Sequence, residues 1–513
     1  MVPIPLVLDM ANLMLNTLAF LPAFAQLRDR HVPTGRSKSA LLTVALLALG
    51  LSGCASLAPP HSTPDLALPK AYPSEATTVP TTTADIAWRS YFTDIRLQTL
   101  IDQALTTNHD LRSALLRVEQ ARATYGIQRA DLLPTLGAEA FGERSRVPAD
   151  LSPSGQARTG NQFQAGVGFS TWELDFWGRI RSLNEAALEQ YLATDEARHA
   201  TELSLIAQVA DGYFRLQELD ERLDLARRTI DSRQESLRIF TRRVEVGATS
   251  PLELTQVEIL LQQAKALGAQ LEQARAQQAN ALALLVGTPI ETAPNDSHLI
   301  AVESLTPLAP GLPSELLVRR PDIRAAEHLL RSANANIGAA RAAFFPRIAL
   351  TGSLGTASAD LDGLLSSGSQ TWNFSPTLSL PIFDSGRRRA SLTLAELRRE
   401  QAVVEYEQAI QQAFRDVADA LAANHWLAEQ VEISNTMLAV QRERARLAAL
   451  RYDNGAVPYL EVLDAQRDLL SSEQQRVERH RQLLSARVAL YTALGGGPIT
   501  VTSTSALTPS HAE

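Results

Sequence analysis

Two hydrophobic periodicities alternate along this chain. In four short segments apolar and polar side chains change places at every residue, the spacing of a strand with two unlike faces. Phe163, Ala165, Val167 and Phe169 alternate with Gln162, Gln164, Gly166, Gly168 and Ser170, and Ile348, Leu350 and Leu354 alternate with Arg347, Thr351 and Ser353. Trp372, Phe374, Leu378 and Leu380 alternate with Thr371, Asn373, Ser375, Thr377 and Ser379; a weaker run sets Leu136, Ala138 and Ala140 against Glu139 and Glu143. These runs predict strands at about 135–148, 161–174, 347–358 and 371–382. After each strand pair comes a helical pattern, from Gly178 to a turn at Gly247 and from Gly386 to a turn at Gly455. The second keeps a seven-residue beat through Val403, Ile410 and Val417, interleaved with Tyr406, Ala413, Ala420 and Leu427. Helices of that length, at about 1.5 Å per residue, reach on the order of 100 Å.

The whole order occurs twice. Asn108-His109-Asp110-Leu111-Arg112 is matched by Arg320-Pro321-Asp322-Ile323-Arg324, and Gly126, Arg129, Ala130 and Pro134 by Gly338, Arg341, Ala342 and Pro346, at an offset of 212. Gly178-Arg179-Ile180-Arg181 recurs as Gly386-Arg387-Arg388-Arg389, and Arg243, Gly247, Ala248, Leu252 and Glu253 recur as Arg451, Gly455, Ala456, Leu460 and Glu461, at an offset of 208. A period this long is one large unit duplicated and fused, not a solenoid of short repeats.

Strands of about 10–12 residues are long enough, when tilted, to cross a bilayer core. A half-buried sheet in a soluble protein shows the same alternation, but the polar positions here are mostly small and uncharged, which suits a water-filled lumen. Four strands cannot close a barrel, and open sheet edges are not tolerated in lipid. A membrane reading therefore demands an oligomer, and three copies supply twelve strands. The long helices alone fit an ordinary antiparallel bundle.

The first residues indicate export. Arg28, Arg30, Arg36 and Lys38 precede an apolar stretch from Ala40 to Leu51, which runs into Leu51-Ser52-Gly53-Cys54. This is the layout of a secretory signal, too short for a spanning helix. Leu-Ser-Gly-Cys resembles a bacterial lipobox, which implies cleavage before Cys54 and a covalent lipid there, diacylglycerol on the thiol and an acyl chain on the new amine. Ala55 in place of an aspartate implies sorting to the outer membrane. Residues 1–35 fit this layout poorly and are expected to reflect a misassigned start. Cys54 is the single cysteine, so no intrachain disulfide framework exists. A net charge of −8 argues against a nucleic-acid partner. The nine histidines make no H-E-x-x-H, and Gly495-Gly496-Gly497 has no P-loop lysine. No catalytic constellation, metal site or nucleotide site is expected, and no cofactor beyond the lipid.

Strand pairs set between long helical hairpins, twice over, behind a lipobox, resemble the TolC-like outer-membrane channel family, and more narrowly its NodT or OprM type of efflux lipoprotein. The likeness is carried by Trp88-x-x-Tyr91-Phe92-x-Asp94-x-x-Leu97, Asn108-His109-Asp110-Leu111, Gly311-Leu312-Pro313-Ser314-x-Leu316-Leu317, Arg319-Arg320-Pro321-Asp322-Ile323 and Ala339-Ala340-Arg341-Ala342-Ala343-Phe344-Phe345-Pro346. Phe383-Asp384-x-Gly386-Arg387 and the turn Arg451-Tyr452-x-x-Gly455 add to it. The resemblance implies a mixed α and β membrane protein. Its homotrimer would combine a 12-stranded outer-membrane β-barrel with a periplasmic α-helical barrel, ringed by a collar of shorter elements. It implies the exit duct of a tripartite efflux system, with an inner-membrane transporter and a periplasmic adaptor as partners and outer-membrane lipid around the barrel.

The expected organisation is a signal peptide at 1–53, a lipidated tether and collar at 54–95, and a first channel repeat at 96–287. A collar linker at 288–311, a second repeat at 312–496 and a tail at 497–513 complete it. The resemblance places the turns near 247 and 455 at the periplasmic tip. Gly247, Ala248, Gly455 and Ala456 would meet the adaptor there, the glycines at positive φ ending each helix and the alanines keeping the tip slim. Tyr452, Glu461, Asp464 and Glu253 match gate positions of an iris, and Val457 stands where relatives can carry an arginine partner. Ser250-Pro251-Leu252-Glu253 is also a capping box with proline at the first helical position. Glu461 also gains from the helix dipole, which fades before Asp464. Three alternatives compete with the efflux duct. A type I protein-secretion channel shares its features, a periplasmic coiled-coil adaptor would lack the strand pairs, and a general porin would need more strands and less helix.

Overall fold

The computed structural model describes residues 56–60, 86–290, 305–308 and 316–497. Cys54 and the signal, most of the tether, most of the collar linker and the tail beyond Gly497 lie outside the described residues.

The elements run α1 (Trp88–Tyr91), α2 (Ile95–Thr107), α3 (His109–Ala130), β1 (Leu136–Val147), β2 (Arg158–Glu173), α4 (Arg179–Glu245) and α5 (Pro251–Val286). A second set comprises α6 (Leu316–Arg319), α7 (Pro321–Ala342), β3 (Arg347–Ser358), β4 (Gln370–Ser379), α8 (Arg387–Asp453) and α9 (Tyr459–Ala493). A single 3₁₀ turn, Ala149–Leu151, sits in the β1–β2 loop. Helices α3 and α7 are both 22 residues long, and α4 and α8 both 67.

Local chemistry explains these boundaries. Both long helices start after a glycine in the left-handed region, Gly178 at φ 72° and Gly386 at φ 85°. In the first copy the Asp175 carboxylate accepts from the backbone N–H groups of Ile180 and Arg181; in the second, Asp384 accepts from those of Gly386 and Arg388. First-turn amides that would otherwise lack partners are thus satisfied. Asn108 caps α3 by accepting from the Leu111 N–H and anchors it by donating to the Leu285 carbonyl.

The four strands form one antiparallel sheet in the order β1-β2-β3-β4, so the β2–β3 seam joins the two copies. Strand β2 begins at Arg158, earlier than its alternation predicts, because Val147 pairs with Arg158 across the hairpin where no apolar signal marks the strand. Strand β4 stops at Ser379, ahead of Pro381, which has no N–H to offer a ladder. One face carries the cross-strand rows Leu136–Phe169–Gly352–Phe374 and Ala138–Val167–Leu354–Trp372. The Phe169 ring covers Gly352, where a Cβ would come within 2.9 Å of it. Thr171, at φ 52°, lies where the β2–β3 register shifts between Phe169 and Trp172, a bulge that strengthens local twist. Val167, Leu354 and Trp372 are exposed by 58%, 62% and 75%, so this apolar face has no cover among the described residues.

The main core lies beside the middle of α4. Phe214, Val209, Leu282, Leu484, Ile101 and Phe92 are buried there, binding α1 and α2 to α4, α5 and α9. Tyr91 stacks on Tyr491 at 4.5 Å and donates to the Arg487 carbonyl at 2.8 Å. A second core follows the seven-residue beat of α8, with Tyr406, Ile410, Ala413 and Val417 packed around Ile323 and Leu330 of α7. Leu57 and Pro59, a few residues after Cys54, are fastened to α7 through Arg341 and Asn334. No helix among the described residues is long and apolar enough to cross a membrane.

Candidate functional site

Each helical hairpin turns in the same way. In the first, the Gly247 N–H bonds to the Val244 carbonyl and the Ala248 N–H to the Arg243 carbonyl; in the second, Gly455 bonds to Tyr452 and Ala456 to Arg451. These paired bonds are a Schellman motif, which needs a left-handed residue at its centre. Gly247 and Gly455 supply it at φ 73° and 72°. A Cβ added at either would meet no heavy atom within 4 Å, so glycine is needed there for its backbone angle and not for space. Gly247, Ala248, Gly455 and Ala456 are all exposed at the two tips.

Beyond the glycines the two turns differ. Ser250 caps α5 by accepting from the Glu253 N–H at 3.3 Å. The reciprocal half of the expected capping box does not form, because the Glu253 carboxylate takes the Thr249 hydroxyl instead. Helix α9 has no side-chain cap; Pro458 stands at the capping position. Its first-turn acid Glu461 reaches back across the turn to Arg451 at 2.8 Å. Asp464 pairs with Arg467 at 3.1 Å, and Arg467 also holds Asp468 at 3.1 Å. Asp468 in turn binds Arg444 of α8 at 2.6 Å. The Arg444 guanidinium, with Arg467 beside it, holds the Asp468 carboxyl below its ordinary range. Both Glu461 and Asp464 therefore have a cation within the chain.

An aromatic cluster lies under the tips. Tyr452 packs on Tyr459 at 4.9 Å, and Tyr459 on Phe240 at 4.4 Å. Phe240, Val257 and Leu463 are buried within it, tying α4, α5 and α9 together. Arg243 lies over the Phe240 and Tyr452 rings and donates to the Tyr452 hydroxyl. The Tyr459 hydroxyl is 3.1 Å from Ser236 Oγ. Farther along α4 from the tip, Arg233 is only 3% exposed and its Nη1 has no hydrogen-bond partner. Burial pushes this guanidinium below its ordinary range.

The structure thus brings Tyr452, Glu461 and Asp464 into one hairpin and puts Glu253 at the other turn. Sequence reasoning missed Arg243, Phe240, Tyr459, Arg444 and Asp468. Arg243 and Arg451 carried a signal, since they match across the duplication. Above the tips a fully buried carboxylate, Glu218, binds Arg215, Arg222 and Arg481 at 2.5, 2.9 and 2.9 Å and locks α4 to α9. Among the described residues no group of three or more His, Cys, Asp or Glu side chains could hold a metal ion.

Comparison with known proteins gives one consistent picture. The family model for outer membrane efflux protein matches residues 100–288 and 312–496. Solvent efflux pump outer membrane protein SrpC of Pseudomonas putida is 46% identical over 80% of this chain and 87% of its own length. Outer membrane protein OprJ of Pseudomonas aeruginosa is 43% identical over 88% of this chain and 95% of its own. Among solved structures, a membrane protein from Pseudomonas aeruginosa superposes with a TM-score of 0.81 at 42% identity, covering 86% of this chain and 98% of that one. The open state of the MtrE outer membrane channel of Neisseria gonorrhoeae gives 0.79 at 40% identity, covering 86% and 98%.

Proposed function

The chain belongs to the outer membrane efflux protein family, and from that premise we propose the machine it builds. It is an outer-membrane channel, not an enzyme, and serves as the exit duct of a tripartite efflux system. The duct is a homotrimer. The observation that carries this reading is the four-stranded sheet with two open edges, β1 and β4, and an uncovered apolar face centred on Trp372, Leu354 and Val167. Open edges cannot persist in lipid, so pairing β4 of one copy with β1 of the next closes a 12-stranded barrel. The long hairpins then form a helical conduit in the periplasm, and the collar is built from the ends of the two repeats. An inner-membrane transporter supplies energy and a periplasmic adaptor bridges it to the tips.

Within this reading, Gly247, Ala248, Gly455 and Ala456 are the adaptor's docking surface, and Tyr452, Glu461, Asp464 and Glu253 form the periplasmic gate. Arg451 of the same hairpin takes the part that Val457 cannot. The lipid on Cys54 is a second anchor. The segment that follows Cys54 is fastened to the second half of α7, the helix that leads into β3, which supports that role. The protein named for solvent efflux among the relatives makes organic solvents the first cargo to test. A deletion strain should become sensitive to such solutes, and complementation should restore resistance. The protein should fractionate with the outer membrane as a heat-modifiable trimer in detergent. A monomer in the soluble periplasmic fraction would overturn the reading in favour of an adaptor.

A further inference from the structure

The two copies pass from strand to long helix with different chemistry. In the first, Glu173 at the end of β2 binds Arg179 through both guanidinium arms, at 2.8 and 2.7 Å. Asp175 holds Arg181, with its carboxylate at 3.3 Å and its backbone carbonyl at 3.2 Å. Both arginines are thus neutralised at the junction. Beside them the Trp177 ring stacks on Phe345 at 4.6 Å.

In the second copy the offset of 208 puts Pro381 and Phe383 where Glu173 and Asp175 stand. The capping acid moves to Asp384, which takes Arg388 at 2.7 Å. Arg387 and Arg389, the counterparts of Arg179 and Arg181, are exposed and make no ion pair among the described residues. Two apolar side chains are bared beside them, Ile382 at 94% exposure and Phe383 at 87%. The second junction has therefore exchanged two acids for an exposed apolar step and two unpaired cations.

We propose that this junction binds an anionic phospholipid of the leaflet facing the periplasm, with Arg389 on the headgroup phosphate and Ile382 and Phe383 against the upper acyl chains. The proposal rests on the channel reading, which puts the sheet in the bilayer and the long helices in the periplasm, so the junction falls at the level of the headgroups. Continuity argues for lipid as the occupant. Ile382 and Phe383 follow directly on the exposed apolar row of Trp372, Phe374, Leu378 and Leu380, and apolar side chains flanked by a cation suit a bilayer boundary. Charge argues for an anion, since a guanidinium matches the geometry of a phosphate. Arg181 shows the reach, because from the same helix position it folds back onto its own connector. Arg387 stands about 200° around the helix from Arg389 and is the internal control.

Lipid competition tests this. Purified full-length protein is delipidated, exposed to equal amounts of phosphatidylglycerol and phosphatidylcholine, and its retained lipid counted by native mass spectrometry. Wild type should retain phosphatidylglycerol in preference, and Arg389→Gln should cut that preference roughly fivefold, as the loss of one membrane-facing cation predicts. Phe383→Ser should lower retention of both lipids, and Arg387→Gln should change neither. No preference in wild type, or equal losses for Arg387→Gln and Arg389→Gln, would overturn the site and leave only bulk attraction. A fall in trimer with an unchanged lipid ratio in Arg389→Gln would overturn it in favour of cover by a second copy. Outer-membrane fractionation of wild type is scored in parallel, and its failure would overturn the channel reading as well.

Discussion

The guanidinium of Arg243, at the end of α4, donates to the hydroxyl of Tyr452, at the end of α8. These residues belong to different hairpins, so the bond ties the first tip to the second. The same guanidinium lies over the Tyr452 ring, which in turn rests on Tyr459 at the start of α9. Any outward movement of the second hairpin has to break the hydroxyl contact before the rings part.

Tyr452→Phe isolates that contact, because it keeps the ring and removes the acceptor. A hydrogen bond to a charged group contributes roughly 1.5–3 kcal/mol when buried, and this half-exposed one should contribute about 1 kcal/mol. The variant should form trimers as the wild type does and show a higher closed-state conductance in planar bilayers. An unchanged conductance would remove Tyr452 from the gate.

Glu461→Ala combined with Asp464→Ala should make a leakier closed channel. Each acid holds an arginine within the second hairpin, Arg451 and Arg467 respectively. Exposed pairs contribute only about 0.2–1 kcal/mol each, so thermal stability should hardly move while bilayer conductance rises. Equal conductance for double variant and wild type would contradict a gating role for both carboxylates.

Much of this arrangement was legible in the residues. Period-two alternation marks Phe163 to Phe169 and Trp372 to Leu380 as two-faced strands, because a strand's faces are read at every residue. Gly247 and Gly455 were legible because a left-handed turn residue is costly for other side chains. The bond from Arg243 to Tyr452 was not, since 209 residues separate its ends and no local pattern links them. Nor was the fate of Glu253: a capping box and a bond to Thr249 demand the same local sequence, and only competition between hydroxyl and amide donors decides. The buried Arg233 was hidden for a related reason, as a charged residue on a long helix ordinarily reads as solvated.

Acid should loosen the tip over a defined window. Arg444 and Arg467 hold the Asp468 carboxyl below its ordinary range, so its folded pKa lies under its unfolded value of about 3.9. A depressed carboxyl contributes stability that is present above the unfolded value and lost as pH falls through the folded one. The Asp468 contribution should therefore be constant from neutral pH to about pH 5 and decline below about pH 4. Asp468→Asn should raise conductance at neutral pH and shrink the further change below about pH 4, read from paired bilayer titrations. Parallel titrations for variant and wild type would exclude Asp468 as the acid-sensitive group.

Arg233 invites the opposite kind of substitution, one that removes a charge and gains stability. Its side chain is buried, its Nη1 lacks a partner, and burial disfavours its charged form. A buried cation without a matched acid costs more than an apolar side chain of similar length. Arg233→Met should therefore raise thermal stability of the purified protein, by on the order of 1 kcal/mol. A loss of stability instead would mean that the guanidinium is satisfied in the proposed trimer by a group from another copy.

Ala456→Trp separates docking from folding. Ala456 is exposed at the second tip, and its N–H, not its side chain, completes the turn by bonding to the Arg451 carbonyl at 2.9 Å. Because Ala456 is exposed, a bulky side chain there projects toward solvent and not into the core. The substituted protein should fold, trimerise and reach the outer membrane with a stability change within about 0.5 kcal/mol, as surface substitutions usually do. In the proposed trimer, an indole projecting from each second tip would nevertheless hold an approaching adaptor away from the helix ends. Efflux in a complemented deletion strain should fall to the level of the empty vector, and co-purification with the adaptor should be lost. Full resistance in that strain, with trimer levels equal to wild type, would show that the adaptor engages some other part of the duct.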